Sequence, residues 1–242
     1  MRRFGLIGHP LTHSFSQRYF TEKFQRQGID NCLYQNFDIQ EIAALESLLE
    51  NYPDLLGFNI TIPYKEVILP LLHARSHVVS EINACNCVRI IDKKLHGFNT
   101  DVVGFEQSLG SFLDRAPSGA LILGTGGSSK AVAFVLNKLR IPFHFVSRSI
   151  IKDHFTYQQL TEQVMRDHEL IINTTPLGMY PVDQFPPLPY EFIGPDHYLF
   201  DLIYNPAVTL FLKKGTERGA ATKNGYEMLV LQAEESWRIW NQ

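Results

Sequence analysis

The stretch Leu121-Ile-Leu-Gly124-Thr125-Gly126-Gly127-Ser128-Ser129-Lys130-Ala131 constrains this chain more than any other. A short apolar run enters it, a helix-forming run (Ser128–Leu139) leaves it, and glycines sit at the corner. Gly124 permits a tight turn, and Gly126 lets the backbone come close to a pyrophosphate. The helix N-terminus that follows offers unpaired N–H groups and a partial positive charge. Strand, glycine turn and helix in that order are the context of a dinucleotide-binding turn. The third glycine of the usual spacing is replaced by Ser129, and a glycine turn that holds no ligand is the alternative reading.

The rest of the chain fits an α/β architecture around that turn. Arg3–Ile7, Cys32–Asp38 and Gly57–Ile62 read as strands, separated by helices over Tyr19–Gln27 and Glu41–Glu50. After the turn-rich Arg115-Ala-Pro-Ser-Gly119 a second cycle begins, with strands at Ala120–Leu123, Pro142–Ser147, Leu170–Asn173 and Tyr198–Leu202. Helices alternating with short apolar strands predict βαβ units and mostly parallel sheets. Six prolines between Pro176 and Pro195 mark an irregular loop. Asn224–Trp240 carries an apolar face at helical spacing (Tyr226, Leu229, Val230, Ala233, Trp237, Trp240). Periodicity alone leaves open whether this helix finishes the second cycle or returns to the first.

At 242 residues there is room for one large domain or two modest ones. No apolar run reaches the roughly 18–20 residues of a membrane helix. The apolar start is broken by Gly8, His9 and Pro10, so no secretory peptide is read. A net charge of −3, with Lys93-Lys94 as the densest basic cluster, argues against a nucleic-acid partner. Three cysteines are too few for a disulfide framework, which makes a reducing cytoplasm the expected compartment.

The cofactor preference is read after the second strand of the nucleotide cycle. An NAD site usually places Asp or Glu there, bonded to the ribose 2′-hydroxyl. Here the strand ends Ser147-Arg148-Ser149, with Lys152 close behind and no carboxylate. A guanidinium forks onto a 2′-phosphate, so the expectation is NADP. Upstream, three polar clusters sit at strand ends: Gly8–Ser16, Phe58–Lys65 and Gly97–Asp101. Hydride reduction of a carbonyl leaves an alkoxide that must be protonated. Lys65, oriented by Asp101, is the candidate pair for that proton. His9 and His13 straddle a proline, Cys85 and Cys87 lack further ligands at zinc spacing, and no Gly-x-Ser-x-Gly elbow occurs. No metal and no nucleophilic catalysis are therefore expected.

Taken in order, these residues resemble the shikimate dehydrogenase family from about Phe4 to Trp240. His13-Ser14-Phe15-Ser16 is similar to the family's substrate-carboxylate motif, which implies that Ser14 and Ser16 hold that group. Asn59-Ile-Thr61-Ile-Pro63-Tyr-Lys65 is similar to the motif in which Asn59 and Thr61 touch ring hydroxyls and Lys65 is catalytic. Asn86 in Ala84-Cys-Asn-Cys, and Asn99-Thr100-Asp101, look like further substrate and catalytic signatures. Asp201-Leu-Ile-Tyr204-Asn205-Pro206 and Met228-Leu-Val-Leu-Gln232 imply that Tyr204 and Gln232 also face the substrate. For the cofactor, the resemblance implies the turn Gly124, Thr125, Gly126, Gly127 and Ser128, then Ser147, Arg148, Ser149 and Lys152. Thr174, Thr175, Pro176, Met179 and Gly225 complete that set. Ser147 stands where many members have Asn, and the chain is short for the family.

The resemblance implies two α/β domains with the active site in the cleft between them. Residues 1–101 plus 224–242 would form a substrate-binding domain with a mostly parallel sheet, and 102–223 a Rossmann-type NADP-binding domain. It implies a cytoplasmic enzyme, monomer or homodimer, that reduces 3-dehydroshikimate to shikimate with NADPH on the route to chorismate and aromatic amino acids. Its partners would be that small-molecule substrate and the cofactor, with no nucleic acid and no membrane. The alternatives are a quinate or dual quinate/shikimate dehydrogenase using NAD, a folate-linked dehydrogenase of similar shape, and a non-catalytic ligand-sensing domain of the same fold.

Overall fold

The computed structural model describes residues 1–11, 15–180 and 184–242. The chain divides into two compact units, Met1–Thr100 with Ala233–Gln242, and Asp101–Gln232.

The first unit begins with β1 (Arg2–Gly8), α1 (Phe15–Gln27), β2 (Cys32–Asp38), α2 (Leu45–Asn51) and β3 (Leu55–Ile60). It continues with α3 (Tyr64–Val67), β4 (Ala74–Arg75), α4 (His77–Ile82), β5 (Cys87–Ile91) and β6 (Lys94–Phe98). The sheet runs β2-β1-β3-β5-β6-β4. β1 is parallel to β2 and β3, and β4 to β6, whereas β5 is antiparallel to both neighbours. The β5–β6 hairpin turns at Asp92 and Lys93, both at positive φ. No apolar alternation in the sequence marked it. The helix expected over Glu41–Glu50 is a 3₁₀ turn at Ile42–Ala44 followed by α2. The strand expected to reach Ile62 stops at Ile60 and gives way to the loop that carries Thr61.

The second unit contains α5 (Asp101–Phe112), β7 (Ala120–Leu123), α6 (Gly127–Lys138), β8 (Phe143–Ser147), β9 (Phe155–Thr156) and α7 (Glu162–Asp167). After these come β10 (Leu170–Asn173), β11 (Tyr198–Asp201), α8 (Leu210–Glu217), β12 (Ala221–Lys223) and the start of α9 (Tyr226–Trp240). Its sheet order is β12-β11-β10-β7-β8-β9, and every pairing is parallel. Counted from the first strand of this unit, the order is 6-5-4-1-2-3, the doubly wound arrangement of dinucleotide-binding sheets. All four residues of β7, β10 and β11 are buried, as strands covered on both faces must be.

The long C-terminal helix explains why the units divide where they do. In the second unit α9 lies close against α5: a Cβ on Gly104 would meet the Met228 carbonyl and the Gln232 side chain. Ser108 and Ser111 of α5 both hydrogen-bond Glu227. From Ala233 onward the helix belongs to the first unit, where Trp237 and Trp240 pack on Phe4 and Phe20. The Trp240 indole donates to the Val88 carbonyl at 2.9 Å. It also fills the space above Gly57 that a side chain there would need. Sequence reading placed Asp101 and all of 224–242 with the first unit. Asp101 instead opens α5, and residues 224–232 group with the second unit, with Glu227, Met228 and Gln232 lying against that helix.

Candidate active site

In the second unit the order of successive strands reverses between β7 and β10, where open α/β sheets leave a ligand crevice beyond the strands' carboxyl ends. The glycine turn lies there, joining β7 to α6. Gly124 has φ +99°, a conformation that glycine adopts without strain, and its missing side chain leaves room for Thr174 and Thr175. Gly126 caps α6 with extended backbone and no side-chain cap, and a Cβ on it would meet nothing within 4 Å. The helix N-terminus thus faces open space, as a pyrophosphate requires. Ser129 is buried and donates to the Gly126 carbonyl at 2.6 Å, so the serine in the third glycine position is accommodated by its own hydrogen bond.

Around the turn, Thr174 donates to the Leu123 carbonyl at 2.7 Å and Thr175 to Asn173 Oδ1 at 2.7 Å, which fixes the loop after β10. Pro176 and Met179 on that loop are exposed. Ser147 ends β8 buried, its hydroxyl accepting from the Ser149 N–H at 3.1 Å. That turn leaves Arg148, Ser149 and Lys152 exposed. Arg148 lines a depression of about 250 Å³ with Tyr157, Gln158 and Pro187. An uncapped helix N-terminus, open space before it and an exposed guanidinium beside a hollow together fit NADP. Gly225 has a packing reason of its own, since a Cβ would run into the Leu202 backbone carbonyl.

Asp201, at the end of β11, anchors a second network. It accepts from Asn173 Nδ2 (3.0 Å), the Ile203 N–H (3.0 Å) and the Thr209 hydroxyl (2.6 Å). Burial lifts its carboxyl from 3.8 to about 6, against the pull of those hydrogen bonds. Asp201 was quoted within a signature but given no role by the sequence. It braces the loop carrying Tyr204, whose phenol is pushed up by desolvation. Gln232 donates to the Leu229 carbonyl at 3.0 Å, and Asp101 is buried at the start of α5.

The first unit brings Ser16, Asn59, Thr61, Lys65 and Asn86 onto one sheet and its loops. Ser14 lies outside the described residues. Tyr64 is buried and donates to the Ile39 carbonyl at 2.6 Å, which pins α3 and leaves the neighbouring Lys65 partly exposed. The Cys85 N–H donates to the Lys65 carbonyl at 2.8 Å, tying the α3 loop to the segment that carries Asn86. Asn86 is buried. Its Oδ1 accepts from the Thr100 N–H at 2.6 Å, and its Nδ2 donates to the Thr100 hydroxyl at 3.0 Å. Asn59 is more engaged than the sequence implied. Its Oδ1 accepts from the Tyr34 hydroxyl (3.0 Å), and its Nδ2 donates to Ser236 Oγ (2.8 Å) and the Asn86 carbonyl (3.2 Å). Sequence reading gave no part to Tyr34 or Ser236, because an isolated Tyr or Ser on an apolar element carries no motif, and it quoted Thr100 within a signature without a role of its own.

Residues 6–88 match the family model for the shikimate dehydrogenase substrate binding domain. The chain is 36% identical to the shikimate dehydrogenase (NADP(+)) of Methanococcus aeolicus, over 98% of this chain and 90% of that one. A solved chorismate mutase/shikimate 5-dehydrogenase fusion protein from Clostridium acetobutylicum superposes with a TM-score of 0.89 at 32% identity, covering 100% of this chain and 91% of that one. Shikimate 5-dehydrogenase from Thermus thermophilus, solved with NADP(H) and shikimate, gives a TM-score of 0.86 at 29% identity, covering 99% and 93%. With a switch-point glycine turn, an Asn-x-Thr-x-Pro-x-Lys loop and relatives matched along its whole length, the chain belongs to the shikimate dehydrogenase family.

Proposed function

We propose that this chain catalyses the reversible, NADP-dependent reduction of 3-dehydroshikimate to shikimate. The reading rests chiefly on one observation: the chain is 36% identical, over 98% of its length, to a relative named for that activity and that cofactor. The local chemistry agrees with it. NADPH, when bound, supplies the hydride that reduces the ring carbonyl. Gly124, Thr125, Gly126, Gly127 and Ser128 would hold the pyrophosphate with backbone N–H groups. Arg148, with Ser147, Ser149 and Lys152, would take the 2′-phosphate. Thr174, Thr175, Pro176, Met179 and Gly225 would shape the rest of the cofactor's bed.

Ser14 and Ser16 would bind the substrate carboxylate. Thr61, Asn86, Asp101, Tyr204 and Gln232 would fix its ring hydroxyls, with Asn59 holding Asn86 by its backbone carbonyl. Lys65 would deliver a proton to the nascent alkoxide and recover one in reverse, and Asp101 would orient its ammonium. Initial rates with shikimate or quinate, each against NADP⁺ and NAD⁺, test the reading. Fast reduction of NADP⁺ by shikimate alone is expected. Quinate adds a hydroxyl at the carboxylate-bearing carbon, which the Ser14/Ser16 side should crowd. Faster turnover of quinate with NAD⁺ would replace the substrate and cofactor assignment, and no turnover of any pair by folded protein would favour a ligand sensor.

A further inference from the structure

A chain of buried side-chain hydrogen bonds crosses the core of the first unit. Ser16, at the start of α1, is buried and interacts with the Tyr34 phenol. Tyr34, on β2, donates to Asn59 Oδ1 on β3 at 3.0 Å. Both N–H bonds of the Asn59 amide are then used, one on Ser236 Oγ of α9 at 2.8 Å and one on the Asn86 carbonyl at 3.2 Å. Ser236 Oγ lies 3.2 Å from Thr100 Oγ1, and Thr100 holds both ends of the Asn86 amide. Ser16, Tyr34, Asn59, Asn86, Thr100 and Ser236 are all buried.

The residues at the two ends of this chain face different parts of the proposed substrate. Ser16 is assigned to the carboxylate and Asn86 to a ring hydroxyl, an assignment that rests on the function proposed above. Between them stand Tyr34 and Asn59. Both side-chain N–H bonds of Asn59 are spent on protein partners, so part of its influence on binding runs through its neighbours. The Tyr34 ring stacks on Phe20 with centroids 4.5 Å apart, and its hydroxyl is the group that joins the two ends. A buried chain of hydrogen-bonded polar side chains holds its members in one arrangement, and loss of one member loosens the rest.

We propose that Tyr34, acting through Asn59, is a positioning residue for substrate specificity: its hydroxyl locks the Ser16 hydroxyl and the Asn86 amide at the separation that the carboxylate and ring hydroxyl of shikimate require. Phe at position 34 keeps the aromatic stack but leaves Asn59 Oδ1 and Ser16 Oγ without their shared partner. A looser recognition set lowers ground-state and transition-state binding alike, which raises KM with little change in kcat.

The test is steady-state kinetics on the full chain, run well below the melting temperature of each variant. For Tyr34→Phe we expect the KM for shikimate to rise about five- to tenfold, kcat to change less than about twofold, and the KM for NADP⁺ to stay put. Ser236→Ala loosens Asn59 from its other side and should raise the shikimate KM about threefold. In the double variant the two effects should combine to less than their product, since both act through Asn59. A purely structural role would lower both melting temperatures and leave the shikimate KM unchanged, and that result would overturn the proposal. Fully multiplicative effects would overturn the route through Asn59. An inactive wild type would overturn the functional reading itself, whereas an active wild type with indifferent variants would overturn only this inference.

Discussion

The groups proposed to hold the pyrophosphate and those proposed to hold the substrate in the first unit are built by different physics. In the second unit the proposed pyrophosphate site is largely backbone: a helix N-terminus, a glycine at φ +99° and open space where a side chain would intrude. In the first unit they are side chains interlocked through Tyr34, Asn59, Ser236, Thr100 and Asn86. A backbone site needs only a sheet of the right order with glycines at its switch point. A side-chain site needs many residues to agree, because each amide and hydroxyl must find a partner once water is excluded. The first arrangement suits a cofactor's pyrophosphate, which presents uniform negative charge. The second suits a small, stereochemically detailed polyol acid.

Five substitutions would break or sharpen that contrast. The largest effect is expected for Lys65→Ala, which removes the proposed proton carrier from the side-chain site. Turnover should fall about 10²–10⁴-fold while fold and NADP⁺ binding persist, read by initial rates beside a cofactor titration. Unchanged turnover would remove Lys65 from the chemistry.

Asp201 tests whether the second unit also depends on buried side chains. Its carboxyl titrates at about 6 in the folded chain against 3.8 for the free group, so the native state binds the proton more readily. That stability is fully present below pH 3.8 and is lost as pH rises through about 6. Across that window the loss is about 2–3 kcal/mol. Urea unfolding of wild type and Asp201→Asn at stepped pH should show the variant gaining on wild type as pH rises. Parallel curves would refute the raised pKa.

Arg148, just past the end of β8, is the charged residue of the proposed cofactor set that lines the hollow. Arg148→Gln should raise the KM for NADP⁺ about 10–100-fold, the worth of charge-assisted hydrogen bonds, and leave that for NAD⁺ nearly unchanged. Equal losses for both cofactors would detach it from the 2′-phosphate. The smallest effect on stability is expected at Gly126, where an added methyl meets nothing. Gly126→Ala should cost under about 1 kcal/mol of stability, yet weaken NADP⁺ about tenfold by obstructing the pyrophosphate. Gly124→Ala, forced to φ +99° against Thr174 and Thr175, should instead destabilise the fold by more than about 1 kcal/mol, read by thermal melts.

The backbone site was the more legible of the two in the sequence. Glycines at a strand–helix corner are a local pattern, and β7, β10 and most of α6 were read within a residue or so. The short edge strands β9 and β12 were not, because two or three residues carry no periodicity. In the first unit, Asn59, Thr61, Lys65 and Asn86 were proposed through motifs that occur in order. Tyr34 and Ser236 were not, since their significance lies in a meeting of β2, β3 and α9 that no local window contains. The division of α9 between the units escaped for the same reason: one apolar face served two different cores.

The most direct test of this division of labour is the steady-state KM for shikimate and for NADP⁺ on two variants, Thr61→Val and Arg148→Gln. The account predicts a clean cross, with Thr61→Val raising only the shikimate KM and Arg148→Gln raising only the NADP⁺ KM. If Thr61→Val weakened NADP⁺ as much as shikimate, or Arg148→Gln weakened shikimate, the assignment of Thr61 to the substrate and of Arg148 to the cofactor would be contradicted.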